Sequence, residues 1–134
     1  RRYDIKNKLT EYLKARPDLQ WVCIQGEGVG RVCGNPLKLK ENDLYVFNFI
    51  TEKEGRIPMQ AAKYIVEDAW RLKWVPFIGA MTLPKTMEQT KELASGASKV
   101  NPEVQREGLV FRTFDNKVSF KNVSKEYLLS KKGK

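Results

Sequence analysis

Two short stretches decide how the rest of the sequence is interpreted: residues 106–112 read Arg-Glu-Gly-Leu-Val-Phe-Arg, and residues 117–121 read Lys-Val-Ser-Phe-Lys. Both are rich in residues that favour β-strands, and the Asp-Asn pair at 115–116 between them is typical of a tight turn. The pattern therefore predicts two strands joined at residues 115–116.

One face of this strand pair is predicted to carry charge. Side chains in a strand alternate between faces, so Lys117, Ser119 and Lys121 are expected on one face, about 6.6 Å from one to the next, with apolar residues on the other. Glu107 adds a carboxylate at the start of the first strand. An acidic residue beside lysines suits a site for a metal ion and a phosphate. On the pattern alone, an ordinary half-buried hairpin with a solvated face is the commoner explanation, and both interpretations stay open.

Length and composition indicate a single globular domain. The chain has 134 residues, of which 41% are hydrophobic and 31% charged, as in ordinary folded proteins and unlike a disordered tail. The longest apolar runs are too short to span a bilayer, and the first residues lack the apolar core of a signal peptide. We therefore expect no membrane association.

The net charge and the numbers of His and Cys residues limit which partners and which kinds of catalytic or metal site the chain is expected to have. The net charge of +9 favours polyanionic partners such as nucleic acid or nucleotides, without choosing between them. With no histidine in the sequence, acid–base work would fall to Glu, Asp, Lys or Tyr. Cys23 and Cys33 are too few and wrongly spaced for a zinc cluster. Cys23 is expected to be a buried thiol, which favours a reducing, cytoplasmic compartment.

The remaining patterns predict an α+β fold, an antiparallel β-sheet with flanking helices. Helical periodicity and capping residues predict four helices, at residues 4–15, at 59–72, at 86–94 with Thr86 as cap, and at 125–130 with Ser124 as cap. Strand patterns cover residues 21–24, 44–49 and 74–78, the last as an edge strand or a bulge because of Pro76.

Two further residues are candidates for a site. Glu27 lies in a glycine-rich stretch, residues 25–30, which is predicted to be a loop and is not a dinucleotide fingerprint, because no helix follows it. Phe47 lies in an aromatic strand. Taken alone, a glutamate of this kind is as often a solvated loop residue, and such an aromatic is more often part of the core.

Four blocks of sequence, taken in order, resemble the ATP-dependent RNA ligase family. Residues 26–30 (Gly-Glu-Gly-Val-Gly) with Gly-Asn-Pro at 34–36, then 44–49 (Leu-Tyr-Val-Phe-Asn-Phe), 107–112 (Glu-Gly-Leu-Val-Phe-Arg) and 119–129 correspond to the family's motifs III, IIIa, IV and V. This family belongs to the covalent nucleotidyltransferases, which include DNA ligases and mRNA capping enzymes. The resemblance implies that residues 1–134 form one partial domain, the C-terminal part of an ATP-grasp-like adenylyltransferase domain.

The same resemblance implies a role for each candidate residue. Glu27 would contact the adenosine ribose or the metal site, and Phe47 would stack on adenine. Glu107 would help to bind Mg²⁺ or Mn²⁺, and Lys121 would neutralise the phosphate oxygens of ATP and AMP. Glu107 and Lys121 are thus the implied catalytic residues. The implied substrates are ATP and RNA ends.

The sequence departs from the family pattern in two places. Ser119 stands where several relatives have a lysine, which leaves Lys117 as a candidate substitute. The family's nucleophile is the lysine of a Lys-x-Asp/Glu-Gly motif that lies upstream of motif III, and the sequence contains no such motif. Because that amine must attack the α-phosphate of ATP, we expect this chain alone to be unable to adenylylate itself. The alternatives are a non-catalytic RNA-binding module and a fragment of a DNA ligase or capping enzyme.

Overall fold

The computed structural model describes residues 3–31 and 34–132; Cys33 lies outside this part. The elements in chain order are α1 (Ile5–Ala15), β1 (Val22–Val29), β2 (Asp43–Thr51), β3 (Gly55–Arg56), α2 (Met59–Lys63) followed by a π-helical segment (Tyr64–Ala69), β4 (Lys73–Trp74), α3 (Met87–Ala94), β5 (Gly108–Arg112), β6 (Ser119–Val123) and α4 (Lys125–Lys132). Helices and antiparallel strands together confirm the predicted α+β class.

The described residues fall into two compact units. The first takes its residues from the chain up to 28, from 43–75 and from 113–117, and the second from 29–42, from 76–112 and from 118 onwards. That the whole chain forms one partial domain stays a prediction.

The first unit contains a four-stranded sheet in which β2 lies next to β1, pairs antiparallel with β3 and pairs parallel with β4. Its core is centred on Phe49, which is fully buried and packs at 5.0 Å between ring centroids against Tyr12 of α1 and at 5.4 Å against Trp70. The other buried core residues are Val46, Ile57, Ala62, Val66, Leu72 and Trp74. Burial of these side chains is what holds the helices on the sheet.

Strand β1 is longer than predicted, because the glycine-rich stretch continues it to Val29 instead of forming a loop. A Cβ at Gly26 would lie 2.8 Å from the carbonyl oxygen of Tyr45 in β2. Glycine is therefore required there for the close approach of two strand backbones. The prediction of a loop at residues 25–30 was wrong for residues 25–29, and Glu27 lies on a strand.

The helix predicted at residues 59–72 is also different. It begins at Met59 but becomes π-helical at Tyr64 and ends at Ala69, where the amide of Trp70 donates to the carbonyl of Ile65 at 2.9 Å. Strand β4 covers only Lys73–Trp74, so the predicted strand over 74–78 was wrong beyond Trp74. A proline at 76 lacks the N–H that continued pairing requires.

The second unit is built around the hairpin of β5 and β6. The strands pair antiparallel, with Phe111 opposite Phe120 and their rings stacked at 5.0 Å. Helix α3 begins with a capping box in which Thr86 and Gln89 bond each other's backbone amides, and α4 begins where the hydroxyl of Ser124 accepts from the amide of Tyr127 at 3.1 Å. Both predicted caps are confirmed. No helix in the described part of the chain is long and apolar enough to cross a membrane.

Asp43, the first residue of β2, accepts hydrogen bonds from Tyr3 and Lys73, and its ionisation makes the stability of the fold depend on pH. Burial alone would raise the pKa of its carboxyl, but hydrogen bonds from Lys73, from the Tyr3 hydroxyl at 2.8 Å and from the Leu44 amide at 2.9 Å outweigh burial and hold the pKa below its usual value. The ionised group therefore stabilises the fold at pH values above about 4, and this contribution disappears as the pH falls through the folded-state pKa.

Asp43→Asn is accordingly expected to lose less unfolding free energy than the wild type between pH 7 and about pH 2. Urea unfolding of both proteins across this range measures the difference. Asp68→Asn, at an exposed position in the π-helical segment, is the matched control and should follow the wild type. A pH dependence of Asp43→Asn identical to that of the wild type would contradict the assignment.

Candidate nucleotide and metal site

The structure brings Glu107 and Lys121 into direct contact in the second unit. Lys121 Nζ lies 2.5 Å from Glu107 Oε1, and each side chain is 48% exposed. Lys121 lies opposite Val110 in the hairpin, and Ser119 lies two residues away opposite Arg112, so Ser119 and Lys121 share a face as the alternation predicts. A carboxylate and an ammonium group therefore stand together at one end of the hairpin.

This ion pair is accessible enough to exchange partners. Exposed pairs of this kind contribute only about 0–1 kcal/mol to stability, since water competes for both charges. Separating Lys121 from Glu107 to contact a ligand therefore costs little. The carboxylate is then available to a cation and the ammonium group to an anion.

The donor set suits a metal that is held jointly with a ligand. In the described part of the chain no group of three or more His, Cys, Asp or Glu side chains is placed to enclose a metal ion. Mg²⁺ keeps several of its waters and is commonly bound through one or two carboxylates together with substrate phosphates. Glu107, with phosphate oxygens beside Lys121, fits that pattern.

Lys117 does not belong to the strand face where the sequence placed it. Strand β6 begins at Ser119, and Lys117 precedes it in the segment 113–117, where its backbone amide donates to the Asp115 carboxylate at 3.0 Å. β6 begins two residues later than predicted, because the connection between the strands covers residues 113–118 and not only residues 115–116. Substitution of Lys117 for the lysine replaced by Ser119 stays a prediction.

Glu27 and Phe47 lie in the first unit, on the strands β1 and β2. Glu27 is exposed and Phe47 is half-buried, with the buried residues Val46 and Asn48 on either side of it in the chain. An exposed carboxylate is available to a ligand, and a half-buried ring has one part left for stacking. Cys23, on β1, is a free thiol and is half-buried rather than fully buried as expected.

Sequence reasoning missed the importance of Asn116, which it treated as an ordinary turn residue. Asn116 is fully buried and has a left-handed backbone with φ of 63°. Its amide nitrogen donates to the side chain of Asn48 at 3.3 Å and to the carbonyl of Ile57 at 3.5 Å, and Asn48 in turn donates to Gln25 at 2.7 Å. These side chains connect the turn to both strands that carry Glu27 and Phe47. Only the preference of asparagine for left-handed turns signalled any of this in the sequence.

Asn116→Ala is expected to destabilise the fold by about 1–3 kcal/mol, because it leaves buried polar partners without their hydrogen bonds and because alanine lacks the polar side chain that lets asparagine adopt a positive φ. Asn116→Gly removes the same hydrogen bonds but tolerates the backbone, and should be less damaging by about 1 kcal/mol. Denaturant unfolding measures both. Equal stability of Asn116→Ala and the wild type would show that the side-chain connection contributes nothing.

No protein-family model and no curated protein sequence matches the chain. Solved structures do match it. The RNA ligase of Naegleria gruberi with PPi superposes with a TM-score of 0.80 and 32% identity over 99% of this chain and 40% of its own. Mutant forms of that ligase with ATP and Mn and with AMP and Mn give TM-scores of 0.82 and 0.81, also at 32% identity, and cover 100% and 99% of this chain and 40% of their own.

The fold is thus that of part of a nucleotidyltransferase domain. Because identity of 32% extends over nearly the whole chain, the likeness goes beyond shared architecture. The chain is therefore similar to RNA ligases in both sequence and fold, as the resemblance implied, and it spans about 40% of the length of the ligase structures that it matches.

Proposed function

We propose that this chain forms the nucleotide-pocket portion of an ATP-dependent RNA ligase, which joins RNA ends through a lysyl-AMP and then an AMP-RNA intermediate. The observation that carries the proposal is the match, over 99% of the chain, to an RNA ligase solved with AMP and Mn. The direct pairing of Glu107 with Lys121 supports the proposal, because a carboxylate suits a metal ion and a neighbouring ammonium group suits phosphate.

Each residue has a role suited to its chemistry and exposure. Glu107 supplies a carboxylate oxygen to a divalent cation, Mg²⁺ or Mn²⁺, and Lys121 turns from Glu107 to the phosphate oxygens of ATP. Glu27 accepts hydrogen bonds from the ribose hydroxyls, and Phe47 stacks on adenine. The bound cation would neutralise charge on the transferring phosphoryl group. Lys121 would stabilise the negative charge that develops as pyrophosphate leaves.

The lysine that attacks ATP is absent from this sequence, so the test requires a longer protein. We define the extended protein as this chain preceded by its own upstream residues through a Lys-x-Asp/Glu-Gly motif. Incubated with radiolabelled ATP and Mn²⁺, the extended protein should retain labelled AMP, whereas the 134-residue chain should not. Label on the short chain would overturn its predicted inability to react.

A chimera separates misfolding from a wrong assignment. In it, this chain replaces the part of the Naegleria gruberi RNA ligase that it matches. Absence of label from both the extended protein and the chimera, with both proteins folded, would count decisively against ligase function. If both bind single-stranded RNA without taking label, the non-catalytic RNA-binding module becomes the better description.

RNA is favoured over DNA as the substrate because the matching structures are RNA ligases. The discriminating assay offers the labelled extended protein equal amounts of nicked RNA and nicked DNA duplexes, and offers the unlabelled protein GTP in competition with ATP. Sealing of RNA alone, with no transfer from GTP, is the expected result. Preferential sealing of DNA, or labelling by GTP, would indicate a DNA ligase or a capping enzyme instead.

A further inference from the structure

We propose that Arg106 and Ser124 are positioning residues that hold the backbone of Glu107 where its carboxylate can bind a metal ion. The inference rests on the proposed function and extends it to residues outside the ligand-contacting set. It is drawn entirely from contacts within the second unit. No metal or nucleotide contact is assigned to either residue.

Ser124 fixes Glu107 from the side of β6 and α4. Its backbone amide donates to the carbonyl of Glu107 at 2.7 Å, and its hydroxyl donates to the carbonyl of Arg106 at 3.1 Å. The same hydroxyl accepts from the amide of Tyr127 at the start of α4. Ser124 is fully buried, so these bonds are shielded from competing water. One residue thus joins two consecutive carbonyls to a helix N-terminus, the carbonyl of Arg106 through its hydroxyl and that of Glu107 through its backbone amide.

Arg106 fixes Glu107 from the side of α3. Its guanidinium group donates to the last carbonyls of that helix and to the one beyond it, at Leu93, at Ala94 (3.0 Å) and at Ser95 (2.8 Å). These carbonyls lack partners within the helix and lie at the negative end of its dipole, where a cation is favoured. The amide of Arg106 also donates to the carbonyl of Gly96 at 2.9 Å.

The contacts of the Glu107 side chain do much less to fix its position than the backbone contacts do. Its carboxylate is half-exposed, and the ion pair with Lys121 stabilises it little. Immediately after it, β5 approaches β6 so closely that a Cβ at Gly108 would lie 2.0 Å from the carbonyl oxygen of Asn122. The position of the carboxylate is therefore determined by the backbone on both sides of Glu107. When a residue that holds a metal-binding side chain in position is removed, the affinity for the metal typically falls.

The test measures the Mn²⁺ requirement of AMP labelling in the extended protein. Ser124→Ala removes the hydroxyl and should raise the Mn²⁺ concentration for half-maximal labelling roughly tenfold, while the KM for ATP at saturating Mn²⁺ stays unchanged. Ser124→Gly loses the same hydroxyl but costs α4 less stability, because glycine is a better N-cap than alanine. If the hydroxyl positions Glu107, the two variants shift the Mn²⁺ requirement equally.

Arg106→Gln should also raise the Mn²⁺ concentration needed for half-maximal labelling. Arg106→Lys keeps a cation at the end of α3 and should raise that concentration less. The matched control is Ser98→Ala. Ser98 is also buried, and its hydroxyl accepts from the amides of Val100 and Asn101 at 3.1 and 3.3 Å, within its own loop. Its loss should leave the Mn²⁺ requirement as in the wild type.

The outcomes separate this inference from the proposed function. A wild-type extended protein that takes no label overturns both. A labelled wild type whose Mn²⁺ requirement is unchanged by Ser124→Ala, or is changed equally by Ser98→Ala, overturns the positioning role alone. A milder shift in Ser124→Gly than in Ser124→Ala would assign the effect to helix capping and likewise overturn it.

Discussion

We expect Glu107→Ala to lower the rate of AMP transfer in the extended protein by on the order of a hundredfold or more, the loss typical when one electrostatic stabiliser is removed from a site of this kind. The carboxylate is the one proposed metal ligand in the hairpin, and it lies 2.5 Å from the ammonium group of Lys121. Under the proposed function, its removal would weaken binding of the cation, and it leaves Lys121 without its ion-pair partner. Single-turnover labelling with radioactive ATP at saturating Mn²⁺ measures the rate.

Two companions sharpen this prediction. Glu107→Gln keeps the shape of the side chain and loses its charge, so it should be nearly as slow as Glu107→Ala if metal binding is the role. Glu103→Ala removes another exposed glutamate four residues earlier and should label at the normal rate. Near-normal transfer by Glu107→Ala, with a folded protein, would remove Glu107 from the site.

We expect Lys121→Ala also to lower AMP transfer by on the order of a hundredfold, for a different reason. The leaving pyrophosphate gains negative charge in the transition state, and a fixed ammonium group stabilises that charge more than it stabilises bound ATP. The rate constant at saturating ATP should therefore fall more than the affinity for ATP does. Rapid-quench labelling over a range of ATP concentrations separates the two quantities.

Lys125→Ala is the control for Lys121, since it removes a lysine from an exposed position at the start of α4. Normal labelling is expected there. The double variant Glu107→Ala, Lys121→Ala should lose less than the product of the two single effects, because residues in direct contact are coupled. Strictly multiplicative losses would mean that the two side chains act at separate places.

Neither substitution should unfold the protein. Glu107 and Lys121 are each 48% exposed, and their ion pair contributes at most about 1 kcal/mol. Thermal unfolding of the single variants should therefore resemble that of the wild type. This separates them from Asn116→Ala, whose effect is on stability, since its side chain is buried and hydrogen-bonded to Asn48.

Much of the fold could be predicted from local patterns. The helix caps at Thr86 and Ser124 follow from hydroxyl side chains that satisfy free amides at a helix start, a requirement within a few residues of chain. The aromatic strand around Phe47 was found where β-forming residues placed it, and both hairpin strands exist, although β6 begins at Ser119 instead of residue 117. The glycine-rich strand and the π-helical segment were missed, because both depend on what packs against them.

The candidate site, like the fold, could be predicted from the sequence only in part. Alternation of side chains along one strand was enough to put Ser119 and Lys121 on a common face. Lys117 was misplaced because the start of β6 depends on how the turn residues are held. Asn116 holds that turn through Asn48, which is 68 residues away in sequence, and no pattern of neighbouring residues reports such a contact.

The sequence by itself therefore determined most of the element types, the helix caps, the common face of Ser119 and Lys121 and the resemblance to RNA ligases. These are encoded by residues close together in the chain, where propensity, periodicity and capping act. Only the tertiary structure decided that Glu107 contacts Lys121 and that Asn116 is buried. The same is true of the hydrogen bonds from Ser124 to the carbonyl of Arg106 and from Arg106 to the end of α3. Those facts depend on contacts between distant segments, whose energies arise only once the chain is packed.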